Sequence, residues 1–299
     1  MSFRLRRFRS VLAAAAGALL LTLIASAAPL ISAVYGAGPQ DTFADDLDGY
    51  GMPYGIAGGV STVHWFGLEP GLGRDLFIQV VYGLRTSLTV AGPAVLLATA
   101  LGTVIGALAG FLGGWIDALL TWLTDVAIAL PMLLCAIAVI RPLELAFYGP
   151  RDAVPGWFRV VMLIGLFAAL GWTGVARLVR GQVRALRERE FVTAAVALGA
   201  RPGRVLGREV LPHLGPPITA GAALLLPTFT SAGAALSFLG LGVLEPTPDL
   251  GRTIQRSLGY LQTDPAYVIF PGLALVLLVF VFTVLGESVR RAFDPGSGR

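Results

Sequence analysis

From Leu88 to Leu112 the chain runs without a single charged side chain, and from Val11 to Val34 it does so again over 24 residues. At about 1.5 Å of rise per residue, either run makes a helix long enough to cross a hydrocarbon core about 30 Å thick. A helix that is apolar on every face has to be covered by protein or by lipid. With 56% hydrophobic and 13% charged residues among 299, the chain lacks the polar surface to wrap such helices for water. The mean hydropathy of +0.77 agrees. The expectation is an all-α membrane protein. Disorder, a coiled coil and a secreted disulfide scaffold are excluded, and the lone Cys135 permits neither an internal disulfide nor a two-cysteine metal site.

Further apolar runs cover Ala118 to Ile140, interrupted by Asp125, then Val160 to Val175, Gly215 to Leu236 and Val268 to Leu285. Together with the first two they predict six transmembrane helices, with Gly113 and Gly114 turning the second into the third. Arg4, Arg6, Arg7 and Arg9 precede the first run, and Ala25-Ser26-Ala27 resembles a signal-peptide cleavage site. The run exceeds the usual h-region of about 7–15 residues, which favours a retained helix over a cleaved leader. Residues 35 to 83 are rich in Gly, Pro, Tyr and Asp, with Asp41, Asp45, Asp46 and Asp48 clustered, and read as a polar region outside the bilayer. The expected organisation is a tail and first helix at 1–34, an extracytoplasmic loop region at 35–83, a five-helix core at 84–290 with a charged loop at 177–213, and a tail at 291–299.

Arginine placement sets the orientation. An even number of spans puts both termini on one side, and the segments on that side carry fifteen arginines against seven on the other. The positive-inside rule then predicts cytoplasmic N- and C-termini. This also accounts for a pI near 9.6 without nucleic acid. All 22 basic residues are arginine. Without lysine the chain has no Walker A loop and no Schiff-base amine, so any ATP chemistry belongs to another chain.

The cytoplasmic loop carries eight of those arginines, from Arg177 to Arg208. Within it Phe191, Ala194, Ala195 and Leu198 fall at i, i+3, i+4 and i+7, one face of a short helix. Gly199 suits its left-handed stop and Pro202 the first turn of another helix. Two readings stand side by side. The face inserts into a partner's groove, or the helix lies on anionic lipid through its arginines.

The stretch Glu190-Phe-Val-Thr-Ala-Ala-Val-Ala-Leu-Gly-Ala, followed by Leu211-Pro212, resembles the "EAA" loop of binding-protein-dependent ABC importer permeases. Thr193, Ala194 and Ala195 stand at the E-A-A positions and Gly199 at the family's glycine. Residues 72 to 88 (LGRDLFIQVVYGLRTSL), 236 to 251 (LSFLGLGVLEPTPDLG), 270 to 275 and 285 to 295 are similar to the C-type permease of the dipeptide/oligopeptide/nickel branch, in order and with matching spacing. The sequence departs from that pattern in Thr193 for the motif's glutamate, Val196 for an arginine, Trp122 for an arginine ahead of Asp125, His213 for an asparagine, and Gly67-Leu68-Glu69 for Gly-Thr-Asp.

The resemblance implies a type I ABC importer permease fold. It also implies that the loop around Glu190, Phe191, Thr193, Ala194, Ala195, Leu198, Gly199, Leu211 and Pro212 docks on an ATPase. The implied partners are a homologous second permease, two cytoplasmic ATPase subunits and an extracytoplasmic solute-binding protein, with peptide or a related small solute, or nickel, as cargo. The expected setting is the plasma membrane of a prokaryote.

Beside that, Gly102, Gly106, Gly110 and Gly114 recur every four residues and give one helix a face for close packing, more simply within this chain than across an interface. Asp125, an ionisable residue in an apolar run, is read as an ion pair with the arginine-rich loop rather than a substrate ligand. Cys135 and the methionines read as packing. His64 and His213 fall on opposite sides, and no hydrolase or metalloprotease motif occurs, so neither catalysis nor a cofactor is expected. The alternatives in other classes are a secondary transporter or channel, which calls for paired repeats and intramembrane charges, and a non-transporting scaffold docking through the charged loop.

Overall fold

The computed structural model describes residues 2–292, with side chains from residue 12 onward. The N-terminal arginine side chains, Arg299 and most of the 291–299 tail therefore lie outside the described residues. The helices are α1 (Ser2–Ser26), α2 (Ala28–Tyr35), α3 (Leu76–Leu112), α4 (Gly114–Ala129), α5 (Met132–Phe147), α6 (Gly156–Arg187), α7 (Glu190–Ala197), α8 (Pro202–Arg204), α9 (Gly215–Phe238), α10 (Leu250–Ser257) and α11 (Ala266–Ala292). Among the described residues there is no strand, only isolated bridges such as Thr42 with Arg74. Four helical stretches are long and apolar enough to cross a membrane, α3, α6, the run Pro202–Phe238 and α11. Two bent pairs, α1 with α2 and α4 with α5, bring the number to six if each pair is one span.

Those bends are where the apolar runs misled. Val11 to Val34 reads as one helix, but the axis turns by 63° between α1 and α2, with Pro29 in the first turn of α2. The third run breaks by 83° at Leu130-Pro131. Proline lacks the N–H that would bond back into the preceding turn, and it drives the residue before it out of the helical region. Leu130 accordingly sits at φ −77°, ψ 116°. Helix α3 also starts at Leu76, well ahead of the apolar run from Leu88, because Asp75 caps it by accepting from the Ile78 N–H.

The core is built on α3 packed alongside α6. A Cβ at Gly102 would lie 2.5 Å from the Trp172 carbonyl oxygen and one at Gly110 2.7 Å from that of Arg180, while one at Gly106 would collide with the Ala176 carbonyl. Gly114 stands apart from this seam. Nothing lies within 4 Å of it, and its φ of +58° belongs to the turn it makes with Gly113. The four-residue period ran one glycine past the contact because α3 ends at Leu112.

On the other flank α1 packs against α11 and α3, burying Ala18, Leu21 and Ala25 with Leu278 and Phe282. A third cluster gathers Ala107, Val179, Val183, Val192, Val205 and Leu214 where the loop after α6 folds back. Helix α3 thus runs from one end of the bundle, where Leu250 of α10 lies against Gly83, to the other, where α7 sits.

One charged pair is enclosed. Arg159, one of the seven arginines assigned from sequence to the outer side, is 1% exposed at the start of α6. It holds Glu144 of α5 bidentately through one guanidinium edge, Nε donating to Oε1 and Nη2 to Oε2 at 2.7 Å. Its Nη1 donates to the Gly240 and Gly242 carbonyls at 3.1 and 3.0 Å. The irregular backbone after α9 thereby gains partners inside the protein, as it must at membrane depth. Removing one member of such a buried pair typically costs about 3–5 kcal/mol.

Candidate functional site

Helix α7 hangs between two turns. Gly199, at φ +81°, closes it with a Schellman pattern in which Gly199 N–H donates to Val196 O at 2.9 Å and Ala200 N–H to Ala195 O at 3.1 Å. Pro202 opens α8, which passes through a π turn (Val205–Val210) and a 3-10 turn (Leu211–Leu214) into α9. Leu211 and Pro212 are therefore the hinge by which the loop re-enters the bundle, and both are exposed.

The face read from spacing is divided by the fold. Val192, off that face, is the anchor at 3% exposure, and Ala195 packs beside it against the core. Ala194 and Glu190 point away from the bundle, as does Thr193, whose hydroxyl is spent on the Glu190 carbonyl at 2.9 Å. Leu198 is 89% exposed. Phe191 is partly exposed and backed by the His213 ring at 5.1 Å between centroids. Helical period alone identifies neighbours around a helix, and the position of the core decides which of them turn inward. What remains outside is a small-residue surface flanked by Phe191 and Leu198, with no tertiary cover among the described residues.

The opposite end is tied together by charge. Arg74, beside the cap of α3, holds Glu69 at 2.6 Å and Glu245 at 3.4 Å, and Arg256 of α10 holds Glu245 at 2.5 Å. Arg256 keeps the Glu245 carboxyl below the usual range, whereas burial pushes Glu69 and Asp249 up. Asp249 caps α10 by accepting from Arg252 N–H at 3.0 Å, and Arg252 donates to the Val243 carbonyl at 2.6 Å. His64 bonds Asp75 at 2.7 Å. The residues resembling the branch's GRD and PTP segments thus join the 35–83 region to the loop around α10. Among the described residues no group of His, Cys, Asp and Glu could hold a metal.

Along α4 and α6 a ladder of charges runs from the α7 end inward. Asp117 is bound by Arg180 at 2.5 Å and by Arg184. Asp125 pairs with Arg177 at 2.8 Å. A partner in the arginine-rich segment matches the expectation, and because α4 begins at Gly114, Asp125 lies about three turns into its helix. A pocket of about 290 Å³ opens beside the pair.

The comparisons with known proteins bear on this arrangement. The family model "binding-protein-dependent transport system inner membrane component" matches residues 102–299. The chain belongs to that family. The dipeptide transport system permease protein DppC of Alkalihalophilus pseudofirmus is 35% identical over 237 residues, 79% of this chain and 73% of that protein. The glutathione transport system permease protein GsiD of Escherichia coli is 35% identical over 250 residues, 84% and 78% of the two chains. Two chains solved in inward-facing conformations of the MetNI methionine ABC transporter share the fold with TM-scores of 0.56 and 0.54. They are 19% and 20% identical to this chain, covering 72% and 73% of it and 96% and 98% of their own lengths.

This permease therefore has the type I ABC importer fold and is a multi-pass component of a prokaryotic plasma membrane. In it, sequence reasoning missed Asp117 and the Glu144–Arg159 pair. Asp117 carried a signal, since Arg180 and Arg184 stand at i and i+4 and share a helix face toward any carboxylate packed there. Arg159 carried none, because its partners are a glutamate on another helix and two backbone carbonyls.

Proposed function

We propose that the chain is the permease subunit through which a peptide or a related small solute passes inward, driven by ATP hydrolysis in separate subunits. The relatives' names favour peptide-like cargo over nickel, and the family match favours an ATP-driven importer over a secondary transporter or a scaffold. In this reading both termini and α7 are cytoplasmic, as the fifteen-to-seven arginine distribution favours. The organisation is a first span through residue 34, an outer region at 35–83, a core at 84–290 and a cytoplasmic tail.

The observation that carries the mechanism is α7 itself, anchored inward by Val192 and open outward along Glu190, Thr193, Ala194 and Leu198. Two alanine-sized positions let an ATPase groove approach the helix backbone, and Phe191 and Leu198 fill pockets at its ends. Val192 and Ala195 transmit the movement, since they pack against Val205 and Leu214 at the root of α9 and Val183 of α6. Closure of two ATPase subunits then rocks α6 and α9 and opens the path to alternate sides. A second, homologous permease completes the pathway, and an extracytoplasmic binding protein delivers solute to the end tied by Arg74, Glu245 and Arg256. Lipid surrounds the remaining faces.

A cysteine at Ala194 or Leu198, in a chain whose Cys135 is replaced by alanine, is expected to cross-link to a co-expressed ATPase and to do so differently with and without ATP. If the purified chain hydrolysed ATP alone, or neither position reached an ATPase in an active transporter, the reading would fall.

A further inference from the structure

We infer that the Asp125–Arg177 pair and the pocket beside it form a polar station on the transport path, receiving the ammonium and carboxylate ends of a zwitterionic solute. The inference rests on the peptide-importer reading and deepens it. Asp125 stands between uncharged residues 118–124 and 126–140, so its position along the chain is that of a membrane-embedded group. Yet its side chain is 56% exposed and that of Arg177 55%. The Glu144–Arg159 pair in the same bundle is enclosed by contrast, at 4% and 2%. A charged pair left open at membrane depth faces a watery cavity or another polar surface, because hydrocarbon is too costly a neighbour.

The pair also has capacity to spare. Asp125 uses Oδ1 alone and Arg177 uses Nη2 alone among the described contacts. Asp117, one step along the ladder, is already taken by two arginines. Beside the pair lies the pocket of about 290 Å³, lined by the polar Asp125, Arg177, Arg180, Thr121 and Thr124 and otherwise by Gly106 and apolar side chains of α3, α4 and α6. Thr124 donates its hydroxyl to the Leu120 carbonyl at 2.7 Å, the usual way a threonine settles in an apolar helix. Thr121, one turn before Asp125, has a buried hydroxyl with no partner among the described residues, as have Thr99 and Thr103 of α3 outside the pocket. An unsatisfied hydroxyl beside an under-used carboxylate and guanidinium calls for a ligand or water. The volume lies just below the range of about 300–1,000 Å³ that encloses a drug-sized ligand, so a solute as small as a dipeptide fits and a long peptide does not. The ammonium end goes to Asp125, and the carboxylate end is within the domain of Arg177 and Arg180.

The test uses the complete transporter in proteoliposomes, with Cys135→Ala as background. Thr121→Cys, which keeps both charges, and Asp125→Cys are treated with a charged, membrane-impermeant methanethiosulfonate, which reacts only where water reaches. Both thiols are expected to be labelled, and dialanine is expected to slow labelling at Thr121→Cys at least threefold. Separately, Asp125→Asn is expected to lower dialanine uptake about tenfold with ATP hydrolysis retained. Thiols that stay unlabelled, or labelling that dialanine leaves unchanged in a transporter that takes up dialanine, overturn the station and leave the peptide reading standing. If the wild-type transporter takes up no dialanine, glutathione takes its place as the probe; uptake of neither overturns the peptide reading, and with it the zwitterionic ligand assigned here, whatever the labelling shows.

Discussion

Two stretches of small residues serve opposite ends in this chain. Gly102, Gly106 and Gly110 let α6 come so close to α3 that no side chain fits between them. Ala194, Ala197 and Gly199 are as small, yet they lie exposed on α7 and at its end, and nothing occupies the space within 4 Å of Gly199. In the first case the neighbour is inside the chain and the glycines are consumed by packing. In the second no neighbour is present among the described residues, and the proposed ATPase would supply one. The lesson is that residue size licenses close approach, while the position of the element decides whose backbone makes it.

Five substitutions test that contrast. The largest effect is expected at the seam. Gly106→Leu forces a branched side chain into the Ala176 carbonyl, and overpacking of this kind costs about 1–3 kcal/mol or more. Purified protein should show a large fall in thermal midpoint or fail to accumulate. Ala194→Trp should do the reverse, leaving stability within about 0.5 kcal/mol while uptake falls tenfold or more and ATP hydrolysis escapes its dependence on solute. A normal uptake rate in that variant would mean that α7 is not a docking surface. Val192→Ala tests the anchor from the inside, with an expected loss of roughly 2 kcal/mol in unfolding free energy as a buried methyl pair leaves a void. The smallest effect separates backbone from packing. Gly199→Ala and Gly114→Ala sit in open space at positive φ, so each should cost only about 1–2 kcal/mol of backbone strain, less than Gly106→Leu.

Legibility followed locality. The stop at Gly199 and the start at Pro202 were readable because each depends on one residue's own torsional freedom. The span ends were readable only roughly. Hydropathy weighs side chains, whereas Asp75 starts α3 in the polar region by accepting a backbone N–H, and Pro131 divides an apolar run by failing to donate one. The pairing of Asp125 with the arginine-rich segment was expected from charge, but Arg180 and Arg184 turned out to serve Asp117. A pairwise contact depends on how two helices cross, and a sequence states only what each helix brings to the crossing.

By itself the sequence determined that the chain is helical and lives in a membrane, because long uncharged runs have no other stable home. It also determined that the chain carries no Walker A loop, because a P-loop needs a lysine and there is none. Tertiary structure decided which faces are spent. It buried Val192 in place of Phe191, enclosed Glu144 with Arg159, and left Asp125 with Arg177 in the open, since burial is a property of what packs against a residue and not of the residue itself.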